Sequence, residues 1–375
     1  MKVLVALGTR PEVIKLAPVI TELIAHNIET VVCATGQHRE MLTQALEAFA
    51  IRPDFSLDTM SPGQSLNILS SRILAEMDGV LAKEQPDWVL VQGDTTTAFC
   101  AGLAAFHRGI RIGHVEAGLR TGDLASPFPE EANRSLLARI TSRHFAPTIT
   151  ARDNLLAEGI AGNSIIVTGN TVVDAIVQAQ ASLAHRNLNL PESTKTLLAN
   201  KPLVLVTCHR RENFGEVLQG ICQMLSRLCS RYTDYQWVFP VHLNPAVREP
   251  VMQILSNIPN LTLLDPVDYY TSLYLISRSA LVVSDSGGIQ EEAPSFGVPV
   301  VVMRSHTERM EGVNAGFATL AGQASEYIEQ SVSAWLNHPE RRLYLKDRSN
   351  PYGDGLASKR IAACLLDEPF EVFNG

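Results

Sequence analysis

Short apolar runs recur along this chain, each closed by a turn and followed by a stretch of helical spacing. Residues 3–7 (Val-Leu-Val-Ala-Leu) end at Gly8-Thr9-Arg10-Pro11, and residues 12–26 then repeat apolar positions every three to four residues. Residues 30–34 precede a predicted helix over about 40–50. Residues 88–91 run through Gly93-Asp94-Thr95 into a predicted helix over 96–108, and 112–115, 144–146 and 165–168 read as further strands. Runs of four or five apolar residues suit strands covered on both faces, and strands alternating with helices build βαβ units around a parallel sheet.

The rhythm then breaks. Residues 173–201 are helical and polar, contain Asn187, Asn189 and Pro191, and read as a connector. Beyond them the pattern restarts with strands at 203–207, 236–240, 261–264, 281–284 and 300–303, and helices near 216–231, 246–256 and 270–278. A chain of 375 residues exceeds one ordinary hydrophobic core. The expected fold is α/β, with two Rossmann-like doubly wound domains and a cleft between them. The first is expected over 1–172, with a C-terminal helix at about 354–375 packing back on it, and the second over 173–353. Open α/β sheets bind ligands beyond the carboxyl ends of their strands, which directs attention to the loops there.

Composition narrows the class. Hydrophobic residues make up 46% and charged residues 19% of the chain, as in a soluble globular protein. A net charge of −8 argues against general affinity for nucleic acid or acidic membranes. An anionic ligand then needs a local cluster of cations and N–H groups. The six cysteines show no CxxC pair or metal-type spacing, so buried thiols are expected. Residues 1–7 run into a strand pattern without a cleavage site, and no apolar run reaches the roughly 18–20 residues of a membrane span, so a cytoplasmic protein is expected.

The strand-end loops hold the candidate chemistry. Ser284-Asp285-Ser286-Gly287-Gly288 leads from a strand into a helix with Glu291 and Glu292. Glycines there let a phosphate approach the backbone, Ser286 adds a hydroxyl, and an acid such as Glu292 suits ribose hydroxyls better than phosphate. Arg10 and Lys15 flank the start of the first long helix, and arginine suits bidentate phosphate contact. Asp94, Glu116 and the pair Glu130-Glu131 sit after strands or prolines, where burial in a cleft tunes a carboxyl for acid–base work. His209-Arg210-Arg211 forms a compact cationic turn, His242 repeats the placement one loop on, and Arg304 and Arg309 follow the strand at 300–303. Each feature alone also suits an ordinary cap, turn or surface charge.

Together these segments resemble the non-hydrolysing UDP-N-acetylglucosamine 2-epimerases. The matching segments are Gly8-Thr9-Arg10-Pro11-Glu12, Gly36-Gln37-His38-Arg39, Gly93-Asp94-Thr95-Thr96-Thr97 and His114-Val115-Glu116-Ala117-Gly118-Leu119-Arg120. Pro129-Glu130-Glu131-Ala132-Asn133-Arg134, Thr168-Gly169-Asn170-Thr171, His209-Arg210-Arg211-Glu212-Asn213, His242-Leu243-Asn244-Pro245, the run from Asp285 to Pro294 and Asn350-Pro351-Tyr352-Gly353-Asp354-Gly355 continue the match in order. The resemblance implies a glycosyltransferase-B type fold, a homodimer, and no metal or nicotinamide cofactor. It implies reversible epimerisation of UDP-GlcNAc to UDP-ManNAc by anti elimination of UDP to a 2-acetamidoglucal and re-addition, supplying ManNAc units for surface polysaccharide. By that resemblance Asp94, Glu116 and Glu130 are the acid–base carboxylates and His209 lies near the diphosphate. Arg10, Lys15, Ser286, Gly287, Gly288, Glu292 and Arg309 contact the nucleotide sugar. Gln37, Arg210 and His242 match part of a second nucleotide-sugar site at which some relatives bind an activator.

Two positions depart from the family pattern. Ser272 stands where relatives carry Phe near the uracil, which removes an aromatic face unless Tyr270 or Tyr274 supplies one. Met310 replaces a proline after Arg309, lifting a restriction on the backbone there. Competing readings are the same chemistry on another base or a modified sugar, a hydrolysing epimerase, a glycosyltransferase on the same fold, and a nucleotide-sugar sensor.

Overall fold

The computed structural model describes residues 1–36, 39–61, 63–183, 186, 188, 190–192, 194–196 and 201–375, and of residues 39–41, 182 and 211 the backbone only. The chain forms two compact units, Met1–Gln178 with Tyr352–Gly375, and Ala179–Pro351.

In the first unit the strands are β1 (Lys2–Leu7), β2 (Glu29–Ala34), β3 (Phe55–Ser56), β4 (Trp88–Gln92), β5 (Arg111–Val115), β6 (Arg143–Ala146) and β7 (Ile165–Val167). They form one parallel sheet in the order β3-β2-β1-β4-β5-β6-β7. The helices are α1 (Arg10–Ala25), α2 (Arg39–Ala48), α3 (Leu66–Glu84), α4 (Thr96–His107), α5 (Glu130–Ile140), α6 (Ile149–Ala157) and α7 (Thr171–Leu183), the last of which continues past Gln178. Successive β1 side chains leave opposite faces of the sheet, so the continuous apolar run feeds two cores. Val3, Val5 and Leu7 pack with Leu16 and Leu23 of α1, whereas Leu4 and Ala6 pack with Ile73 and Met77 of α3 and Ala101 of α4.

The structure adds α3, α5, α6 and β3 in this unit, and a strand at Ala318–Leu320 in the second, to the elements expected from the sequence. The α3 helix buries Leu69, Ile73, Met77, Val80 and Leu81, a helical stripe, and is capped by Ser65 accepting from Ile68 N. At the other end of the chain, Asp174 of α7 accepts hydrogen bonds from the backbone N–H groups of Ala357 and Ser358. That contact starts the helix Ala357–Leu365, whose Ile361, Ala362 and Leu365 join the β1–α1 core.

The second unit has β8 (Leu203–Thr207), β9 (Gln236–Pro240), β10 (Leu261–Leu264), β11 (Ser279–Ser284), β12 (Val300–Val302) and β13 (Ala318–Leu320). They form a parallel sheet in the order β10-β9-β8-β11-β12-β13. Val204 and Val206 pack on one face with Leu218 and Leu228 of α8 (Glu216–Arg231), and Leu203 and Leu205 on the other with Ile276 of the helix Tyr269–Arg278. Strand order reverses between β1 and β4 in the first sheet and between β8 and β11 in the second. Such reversal points are where doubly wound sheets bind ligands. Among the described residues no helix is long and apolar enough to cross a membrane.

Candidate active site

At the reversal point of the first unit, the loops after β1, β2 and β4 close tightly on one another. A side chain at Gly8 would place its Cβ 2.3 Å from the hydroxyls of both Thr35 and Thr97. Those two hydroxyls are themselves hydrogen-bonded at 2.8 Å, so only glycine lets the β1 turn lie there. The turn delivers Arg10, half-buried, to the first position of α1. Lys15, one turn further, is buried, and its ammonium pairs with the Glu116 carboxylate. Lys15 therefore stands with the carboxylates of this unit. Glu116 itself adopts φ +64°, the left-handed region that a non-glycine residue rarely occupies.

The loop after β4 is fixed from β5. Gly93, at φ +70°, donates its N–H to Val115 O at 3.0 Å. Its carbonyl accepts from His114 Nε2 at 2.7 Å. A carbonyl only accepts, so Nε2 carries the proton and Nδ1 presents a bare lone pair, which has no hydrogen-bond partner among the described residues. Full burial lowers the His114 pKa to about 3, so the ring is neutral at physiological pH. Asp94, the next residue, is half-buried and pairs with Arg134 of α5, while Asn133 Nδ2 donates to Asp94 O at 2.9 Å.

The two acids at the start of α5 have separate fates. Glu131 is buried, accepts from Thr121 N and Gly122 N at 3.1 Å each, and pairs with Arg134 at 3.2 Å. Glu130 remains half-buried at the first position of the helix. Structure thus uses Glu131 to hold the loop 121–122 and leaves Glu130 as the better placed of the pair for chemistry.

In the second unit the reversal point brings together the loops after β8 and β11. Asp285, fully buried, accepts from His209 N at 3.0 Å, Arg210 N at 2.9 Å and Asn213 Nδ2 at 2.9 Å, and lies 3.3 Å from His209 Nδ1. One carboxylate therefore shapes the cationic turn and orients its imidazole. His209 is exposed, and its ring stacks near that of His242 at 6.4 Å and 23°. Arg210 is half-buried; burial, then the neighbouring Arg304, lowers its guanidinium below the usual range.

Ser286 precedes the short helix Gly287–Glu292 and makes no side-chain cap. A Cβ on Gly287 would lie 2.7 Å from Arg309 Cζ, so the space at this glycine is taken by the Arg309 guanidinium. A Cβ on Gly288 would meet only Glu292 Oε1 and Ser286 Oγ at 3.8 Å, an ordinary contact. Glu292 is buried. Arg309 donates Nε to Glu291 Oε1 at 2.7 Å and pairs with Glu308, which also accepts from Arg304 NH1 at 3.2 Å. Arg309, which precedes Met310, is buried and held by two carboxylates.

Ser272 lies half-buried within Tyr269–Arg278. Its neighbour Tyr270 is buried, packs edge-on against Tyr269, and carries the Arg186 guanidinium 3.6 Å from its ring centroid. Gln37 lies outside the described residues. Among the described residues no group of three His, Cys, Asp or Glu side chains is arranged to hold a metal ion. No individual role was expected from the sequence for Glu12, His114, Asn133, Arg134, Asp285 or Glu308, which orient the candidate groups; all but Glu308 lie in the segments that carry the family resemblance, which was the signal that could have found them.

Comparison with known proteins places this architecture. A family model described as UDP-N-acetylglucosamine 2-epimerase matches residues 21–366. The chain is 46% identical over 369 residues to a UDP-N-acetylglucosamine 2-epimerase of Neisseria meningitidis serogroup A, covering 98% of this chain and 99% of that one. It is 47% identical over 370 residues to the protein of that name from Escherichia coli K12, covering 97% and 98%. Among solved structures, UDP-GlcNAc 2-epimerase from Neisseria meningitidis bound to UDP-GlcNAc aligns with TM-score 0.92 and 46% identity over 98% of this chain and 100% of that one. The Methanocaldococcus jannaschii UDP-GlcNAc 2-epimerase in complex with UDP-GlcNAc and UDP aligns with TM-score 0.85 and 34% identity over 98% and 100%. A glycotransferase of kitacinnamycin, at 13% identity and TM-score 0.66 with 98% of each chain covered, shares the fold alone. The two parallel-sheet domains are thus of the glycosyltransferase-B type.

Proposed function

This chain belongs to the UDP-N-acetylglucosamine 2-epimerase family of isomerases, and from that premise we propose that it interconverts UDP-GlcNAc and UDP-ManNAc by elimination and re-addition of UDP. A carboxylate of the first unit takes the C2 proton; the C2–H electron pair forms the C1–C2 double bond, and the C1–O bond breaks with its pair leaving on UDP. Reprotonation at C2 on the opposite face and return of UDP to C1 complete the epimerisation. Such a step needs two proton carriers, and cations with N–H donors for the leaving diphosphate.

The observation that carries this reading is the set of Asp94, Glu116 and Glu130 in one unit, two of them paired with buried cations. The cations of Lys15 and Arg134 lie against the Glu116 and Asp94 carboxylates, groups of the kind that can accept a proton. Glu130, half-buried at a helix start, suits the complementary proton-transfer role. In the second unit Arg309, Arg210, His209 and the Ser286–Gly288 turn supply positive charge and donors for UDP. Proton NMR of the protein with UDP-GlcNAc in deuterated water tests the proposal. UDP-ManNAc with deuterium at C2 is the expected result; unchanged UDP-GlcNAc with folded protein overturns it, and free ManNAc would mark a hydrolysing enzyme instead.

A further inference from the structure

Glu12 occupies the third position of α1, where an acid ordinarily faces solvent and favours the helix dipole. Here it is fully buried and turned back under the helix start. Its Oε2 accepts from Gly8 N at 2.9 Å and from Thr9 Oγ1 at 2.7 Å, which satisfies the β1 turn in the manner of a capping box. Its Oε1 reaches elsewhere, accepting from Thr95 Oγ1 at 2.7 Å across 83 residues of sequence. Thr95 in turn caps α4, accepting from Ala98 N at 2.9 Å.

One carboxyl therefore closes the start of two helices. The turn on one side carries Arg10; the residue before Thr95 on the other is Asp94. A helix cap alone needs one oxygen and no burial, and removing a carboxyl from water opposes its ionisation. The second, non-local hydrogen bond is what a capping role leaves unexplained. We propose that Glu12 is a positioning residue, whose buried carboxyl locks the turn carrying Arg10 to the turn carrying Asp94 through Thr95. This rests on the reaction proposed above for its kinetic consequence, and on the hydrogen bonds alone for the linkage itself.

Two variants test it from opposite ends. In Glu12→Gln one carboxyl oxygen becomes an NH2 group, so an amide turning its NH2 to Thr95 can only donate to the hydroxyl that Ala98 N already uses as its acceptor, and one turning its NH2 to Gly8 loses that bond. Thr95→Ala removes the hydroxyl and leaves Glu12 intact. Amide hydrogen exchange reads the linkage without reference to activity. Glu12→Gln is expected to speed exchange at Ala98, and Thr95→Ala to speed exchange at Gly8, each by at least ~10-fold. In turnover of UDP-GlcNAc, each is expected to lower kcat by ~10-fold or more with KM within ~3-fold, since misplacement acts on the chemical step. The double variant is expected to be no worse than the weaker single one.

Wild-type kcat in a folded Glu12→Gln protein, or losses that multiply in the double variant, would overturn the proposal. Should Glu12→Gln not fold, Thr95→Ala decides alone: unchanged exchange at Gly8 sinks the linkage. A wild-type protein inert toward UDP-GlcNAc removes the proposed reaction, and the exchange data still support or refute the link.

Discussion

Lys15 and Glu116, 101 residues apart in sequence, form an ion pair whose side chains are each only 7% exposed. Neither charge has much water to turn to, so each offsets part of the cost of burying the other.

Removing one partner should therefore cost more than removing both. Lys15→Met leaves a buried carboxylate without its cation and is expected to lower stability by about 3 kcal/mol, the usual scale for breaking a buried pair. It should also reduce turnover by ~100-fold or more. Adding Glu116→Gln should restore most of the stability and none of the activity. Urea unfolding and steady-state rates on the three variants check this; additive stability losses would show that the pair is not coupled.

The backbone at Glu116 makes a separate claim. At φ +64° the residue pays a conformational cost that glycine avoids. Glu116→Gly and Glu116→Ala both delete the carboxylate, so their difference isolates the backbone. Glycine is expected to be the more stable by about 1 kcal/mol, despite its greater freedom when unfolded. Equal denaturation midpoints would mean the left-handed conformation carries no strain here.

Two buried groups tilt stability in opposite directions with pH. Burial raises the Glu12 pKa to about 7, with hydrogen bonds from Thr95, Thr9 and Gly8 pulling the other way. The folded state then binds a proton that the unfolded state has released, so stability falls as pH rises from about 4.5 to about 7. His114, lowered to about 3 by burial, is neutral in the folded state while the unfolded state protonates below about 6.5. Its contribution rises with pH from about 3 to about 6.5. Each slope is at most about 1.4 kcal/mol per pH unit, and the two oppose one another between about pH 4.5 and 6.5. The stability of Glu12→Gln relative to wild type should therefore increase by about 1–2 kcal/mol from pH 5 to 6.5, read from urea midpoints. A difference independent of pH would mean that Glu12 ionises in the folded state as it does in the unfolded one.

The strands and the loops at their ends were legible in the sequence because burial on both faces demands uninterrupted apolar runs such as residues 3–7 and 203–206. Asp94, Glu116, His209 and Ser286 could be picked out as polar residues directly after such runs. Their partners could not. Arg134 meets Asp94 from 40 residues away and Asp285 reaches the His209 turn across 76, and nothing local marks either contact. Glu12 reads as an ordinary first-turn acid, because helical spacing reports which face is apolar and not which polar residue is turned inward. The β3 strand is only two residues long, too short for any periodicity to appear.

Gly287 and Gly288 are adjacent, and the structure assigns them different work. At Gly287 an added methyl group meets the Arg309 guanidinium at 2.7 Å, with two further guanidinium atoms at 2.8 and 3.1 Å. Arg309 cannot yield freely, because Glu291 and Glu308 both pair with it. Gly287→Ala should therefore displace Arg309, lowering both the unfolding midpoint and the affinity for UDP. At Gly288 the same methyl group meets nothing closer than 3.8 Å, and alanine is the better helix former. Gly288→Ala should leave the unfolding midpoint unchanged or slightly higher. If the backbone of this turn approaches the diphosphate as proposed, that methyl group nonetheless weakens UDP binding by ~10-fold or more, because it stands where the ligand must come close. Calorimetric titration with UDP alongside thermal unfolding separates the two positions. Undiminished UDP affinity in Gly288→Ala would move the diphosphate away from this turn and leave Arg309 with a purely structural glycine beside it.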